Sequence, residues 1–164
     1  MRFWPLTTNE RGEQDYTHQI EYTADDLTTT TANTAQTLTT PLVLGIGDIV
    51  TRVTMHLTTA LKASGDNAFN TTTMSVGDSV GGVATLLAAT ELNENGTEII
   101  DKSAIPSGTP STGLTAATTV TVTFNAMAAK NLNAINTGVV YIYIQVGRAR
   151  QLADAASSGP ILTK

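Results

Sequence analysis

Over residues 49–61 the chain alternates. Ile49, Thr51, Val53, Met55, Leu57, Thr59 and Leu61 fall on one side of an extended backbone, and Val50, Arg52, Thr54, His56, Thr58 and Ala60 on the other. A period of two belongs to a pleated strand, whose successive Cβ atoms point to opposite faces. One side is apolar enough to demand burial, so a second layer must cover it. The same alternation recurs. Tyr16, His18, Ile20 and Tyr22 oppose Thr17, Gln19 and Glu21. Val120, Val122 and Phe124 point inward, against Thr119, Thr121 and Thr123. Val140, Ile142, Ile144 and Val146 oppose Val139, Tyr141, Tyr143 and Gln145, in the most strand-prone segment of the chain.

Turn chemistry separates these runs. Thr23-Ala24-Asp25-Asp26, Gly45-Ile46-Gly47-Asp48, Ser64-Gly65-Asp66-Asn67, Gly77-Asp78, Gly81-Gly82 and Asn136-Thr137-Gly138 read as turns or loops. Residues 36–44 make a further strand, which Pro41 confines to a sheet edge or a break. Residues 69–76 make another, and residues 83–92 are apolar without helical period. Asn95-Gly96 is a hairpin turn with its return strand at 97–102. Residues 103–113 form a Pro/Gly/Ser loop, and only residues 126–134 carry helical propensity, for a turn or two. Roughly seven or eight short strands with such turns predict an all-β antiparallel sandwich, jelly-roll-like within that class, rather than a solenoid. The predicted organisation is an N-terminal arm (1–15), the sandwich (16–147) and a C-terminal tail (148–164).

Composition narrows the role. Charged residues are 14% of the chain, while threonine supplies about a fifth of it, so outward strand positions carry Thr, Asn and Ser in place of Lys and Glu. A net charge of −5 with scattered basic residues argues against nucleic-acid binding. No segment approaches the length of a membrane span, and the apolar run at residues 1–6 is too short for a signal peptide; synthesis in a host cytoplasm is expected. Cysteine is absent, which excludes disulfides and thiolate chemistry.

Catalytic patterns are missing too. His18 and His56 read as ordinary surface or core histidines, not metal ligands. Asp25, Asp26, Asp48, Asp66 and Asp78 sit in turns, where the carboxylate bonds nearby backbone N–H groups. None matches a calcium loop, although a calcium ion between turns stays open. The glycine pairs lack the partners of a dinucleotide loop or P-loop, and no G-x-S-x-G elbow occurs. Two Asn-x-Thr sequons are chance matches in so threonine-rich a chain. The expectation is a protein without enzymatic activity, cofactor or metal. Phe3 and Trp4 stand out in the arm: a free tail seldom keeps two large aromatics. They either fold back on their own domain or dock on another subunit. Together with Arg148 and Arg150 they are the candidate partner contacts.

Ile20-Glu21-Tyr22-Thr23-Ala24-Asp25-Asp26-Leu27 followed by Thr31-Ala32-Asn33-Thr34-Ala35-Gln36-Thr37-Leu38 resembles the opening of small phage virion proteins encoded beside major capsid genes. Ala68-Phe69-Asn70 with Val76-Gly77-Asp78, then Leu87-Ala88-Ala89-Thr90-Glu91-Leu92-Asn93, fits the same pattern, as does Phe124-Asn125-Ala126-Met127-Ala128-Ala129-Lys130-Asn131-Leu132. The resemblance covers residues 16–146 and leaves both ends outside. It implies a capsid decoration or cement protein on the virion exterior: a jelly-roll-like domain, often a homotrimer, that clamps the major capsid protein. A tail, neck or fibre component is a second structural reading. A carbohydrate-binding sandwich module is a third, with Tyr141 and Tyr143, or Tyr16 and Tyr22, as its exposed aromatic face.

Overall fold

The computed structural model describes residues 1–6, 16–66, 69, 71–93, 100–104 and 114–148. Among these residues the chain forms nine strands: β1 (Arg2–Pro5), β2 (His18–Thr23), β3 (Gln36–Leu44), β4 (Asp48–Lys62), β5 (Thr73–Asp78), β6 (Gly82–Glu91), β7 (Ile100–Ala104), β8 (Thr118–Phe124) and β9 (Thr137–Arg148). They build two antiparallel sheets. Sheet A has the order β1-β2-β9-β4-β7, and sheet B the order β3-β8-β5-β6. The protein is an all-β sandwich, as its alternation demands.

The pairing is nested. β2 pairs with β9, β3 with β8, β4 with β7 and β5 with β6. Successive pairs fall alternately in sheet A and sheet B, so the chain is wound as one long hairpin rolled over itself. This overturns one local expectation. The strand following Asn95-Gly96 does not return along β6; it joins β4 in the other sheet. Asn95 and Gly96 themselves lie outside the described residues.

The inner faces meet in a single core. Ile20, Tyr22, Val53, Met55, Leu57, Val140, Ile142 and Ile144 of sheet A pack against Leu44, Met74, Val76, Val120, Val122 and Phe124 of sheet B, all of them buried. Each such side chain contributes on the order of 1.5–3 kcal/mol by leaving water. Tyr22 and Phe124 meet edge to face across the sheets, with ring centroids 5.5 Å apart. At one end, Phe69, Leu92, Met127 and Leu132 are buried as plugs where β4 and β8 finish. The stretch 126–134 is no helix. It holds a tight turn with Ala129 at φ 57° and a 3-10 turn at Leu132–Ala134, because Met127 and Leu132 are drawn into the core from opposite ends of a reversal.

Several boundaries follow local chemistry. β3 spans the residues expected, and Pro41 lies on an edge strand beside a register shift between Thr39 and Val43. The β5 strand begins only at Thr73. Gly77 is required by close approach: a Cβ there would come within 1.9 Å of the Gly82 carbonyl oxygen, because the bulged start of β6 lies over it. The N-terminal arm is corrected in part. Arg2–Pro5 form an edge strand on β2, and Met1 donates its ammonium to the Asp26 carboxylate. Residues 7–15 and most of the tail, 149–164, lie outside the described residues.

Candidate interaction surface

The register of sheet A sets its outer face. Trp4 lies opposite Gln19, Gln19 opposite Tyr143, and Tyr143 opposite Thr54. The adjoining row runs Arg2, Glu21, Tyr141, His56. Tyr16 joins this face too. It departs from the alternation of β2, packs on Tyr143 at 5.5 Å and hydrogen-bonds the Thr54 hydroxyl. The Arg52 guanidinium lies 5.3 Å above the Tyr16 ring. Tyr141 and Tyr143 are 6.4 Å apart. Of the eight Trp, Tyr and Phe residues in the chain (1 + 4 + 3), four therefore lie on this one face.

The expected contact residues separate. Trp4 is 39% exposed on this face, whereas Phe3 turns inward, half-buried against the core and stacked on His18 at 5.7 Å. Arg148 ends β9, about 17 Å beyond Tyr143 at ~3.4 Å per strand residue. Its Nε donates to Asp48 at 3.3 Å. Arg148 and Trp4 do not form one patch, and Arg150 lies outside the described residues. The pairing of Tyr16 with Tyr22 also breaks, because Tyr22 is in the core. His18 and His56 lie on opposite faces of sheet A, since His18 is in register with inward Ile144 and His56 with outward Tyr141. They cannot share a metal. Among the described residues no three His, Cys, Asp or Glu side chains converge.

Sheet B differs. Its four strands carry two charged residues, Asp78 and Glu91, each at a strand end, and no Lys or Arg. Outer rows read Thr37, Thr123, Ser75 and Thr39, Thr121, Gly77. The hydroxyls satisfy one another, as between Thr37 and Thr123 at 2.9 Å. Asp78 is consumed internally: its carboxylate accepts from the Val80 and Gly81 N–H groups and the Thr85 and Thr118 hydroxyls, between 2.6 and 3.0 Å. Burial pushes its pKa up, but these donors outweigh burial and hold it below the usual carboxylate value. Sequence reasoning found the turn role of Asp78 and the outward Tyr141 and Tyr143, but not Tyr16 and Arg52 as their neighbours. Only the β2–β9–β4 register brings those together. Comparison of the chain with protein-family models, with curated proteins and with solved structures finds no match.

Proposed function

We propose that this protein is a structural component of a phage virion that binds the capsid exterior as a decoration or cement protein. The nested strand pairing is read as a jelly-roll wrap, an architecture that serves in virion shells. The observation that carries the proposal is the outer face of sheet A. Trp, Tyr and Arg are the residues that supply most binding energy at protein interfaces, and here they lie side by side on a stiff sheet. Rigid anchors lose little conformational entropy on docking. The partner assigned is the major capsid protein, with copies of this chain arranged as a homo-oligomer, a trimer in the resemblance. Co-sedimentation with undecorated capsids tests the role: fixed stoichiometric binding is expected, and Trp4→Ala weakens it at least tenfold. No binding by the wild-type protein would remove the capsid from the account and leave a tail, neck or fibre position.

One observation favours a second reading. A lane of aromatics flanked by Gln19, Glu21 and His56 also suits stacking and hydrogen bonding to a sugar. Binding on a glycan array that Trp4→Ala abolishes would move the assignment to a carbohydrate-binding module.

A further inference from the structure

The end of the sandwich where β8 begins carries an apolar tip. Val43 lies opposite Thr119 on the outer face of β3. Ile46 is in the β3–β4 turn, held against the start of β8 by the Gly47 N–H bond to the Leu114 carbonyl. Val80 is in the β5–β6 turn, tied to the same strand by Ser79 N–H donating to the Thr119 carbonyl and by the Ser79 and Thr118 hydroxyls 3.1 Å apart. Val83 begins the bulge that follows. Of the six exposed large apolar residues among the described ones, these are four, and Ile46 and Val80 are each 73% exposed. Thr115, Ala116 and Ala117 beside them are exposed and uncharged. The opposite end behaves otherwise, because there the large apolar side chains are buried as plugs.

The charges near the tip are already engaged. Asp48 binds Arg148 and the Gly45 N–H, and Asp78 is saturated by its own turn. A charged partner would lose hydration against these side chains with no counter-charge to meet it. The surface therefore selects an uncharged, apolar counterpart. We propose that the counterpart is the same tip on a second copy of this chain. With a net charge of −5, copies repel one another over most of their surface, and this is the end at which they approach without like charges facing. Pro41 on the β3 edge disfavours strand addition there, so the contact is made by side chains. A stable pair hides about 800 Å² on each partner, more than four aliphatic side chains provide. The contact is weak in free solution and becomes effective once copies stand side by side on a shell, where effective concentration is high. The inference deepens the proposed role by assigning the surface through which copies meet, but its test uses the protein alone, so loss of self-contact and loss of capsid binding are separate results.

Sedimentation equilibrium over a wide concentration range is the experiment. Wild-type mass is expected to rise with concentration. The double variant Ile46→Asp/Val80→Asp should need at least tenfold more protein to reach the same mass, and Ile46→Ser/Val80→Ser, which adds no charge to the turns, should show a loss in the same direction. Thr39→Asp, placing the same charge in the middle of sheet B, should associate like the wild type. Three results would overturn the proposal: a wild-type protein monomeric throughout, which gives the tip to the chain's own residues 149–164 or to the shell; association unchanged in both double variants; or equal loss in Thr39→Asp.

Discussion

Across sheet A the outward rows read Trp4, Gln19, Tyr143, Thr54 and Arg2, Glu21, Tyr141, His56; across sheet B they read Thr37, Thr123, Ser75 and Thr39, Thr121, Gly77. The inner faces of the two sheets are alike, aliphatic with one aromatic each in edge-to-face contact. The outer faces have diverged. A threonine row supplies branched Cβ atoms that suit the pleat, and its hydroxyls bond across the strands, so it stabilises the sheet while offering a partner little. An aromatic and arginine row adds little to the fold that a threonine could not, and it carries area and charge to a partner. The division suggests that sheet B is mainly scaffold and sheet A mainly contact surface.

The core is where that contrast should vanish. Phe124→Ala removes the partner of Tyr22 and empties the space between the sheets, so it should cost about 3–5 kcal/mol in denaturant unfolding. Both sheets should unfold in one transition. Two transitions would mean that the sheets are not a single cooperative unit.

A smaller effect tests the ends of the sheets. Each sheet has one carboxylate held below the usual range: Asp78 in sheet B and, after β2 of sheet A, Asp26. For Asp26, burial again opposes, and the bonds from the N-terminal ammonium and from Thr23 prevail. A carboxylate with a lowered folded pKa stabilises the fold above its unfolded value near pH 4, and that stabilisation is lost as pH falls through the folded value. Asp78→Asn should therefore cost about 1–2 kcal/mol at pH 7, a figure reduced by solvent screening at a partly exposed turn, and almost nothing near pH 2. Stability measured against pH should become shallower on the acid side without becoming flat, because Asp26 remains. A wild-type acid limb in the variant would show that Asp78 contributes none of it.

The smallest effect concerns Tyr22. Its hydroxyl is buried with no hydrogen-bond partner, and burial pushes its pKa far up. Tyr22→Phe should leave stability unchanged or raise it by up to about 1 kcal/mol, because an unsatisfied buried donor costs more than it returns. A clear loss of stability would mean that the hydroxyl bonds a buried water.

The sequence made the inner faces legible and the outer faces only partly so. Val140, Ile142 and Ile144 are fully buried, as their alternation predicts. In β4 the pattern holds for Val53, Met55 and Leu57, but register shifts at Val50/Arg52 and Leu57/Thr59 turn Val50 inward and leave Thr59 exposed. Burial of apolar surface dictates alternation, and a bulge costs too little to leave a mark in residue types. The partner of each strand was not legible either. Asn95-Gly96 is a local hairpin signal, yet β7 pairs with a strand more than forty residues away, at Val53 to Leu57. Nested long-range pairing is decided by which apolar faces can close together, and turn residues do not encode it. The candidate surface suffered from the same gap. Trp4 was visible as a lone aromatic, but its neighbours Tyr143, Tyr16 and Arg52 lie on other segments and meet it only through register.

One binding measurement addresses the division of labour directly. Trp4→Ala on sheet A and Thr39→Lys on sheet B each change one outward side chain on a strand at a sheet edge, and both should fold with stability close to wild type. In co-sedimentation with undecorated capsids, Trp4→Ala should weaken binding at least tenfold while Thr39→Lys binds as the wild type does. Equal binding by both variants, or loss in Thr39→Lys alone, would contradict the assignment of contact to sheet A.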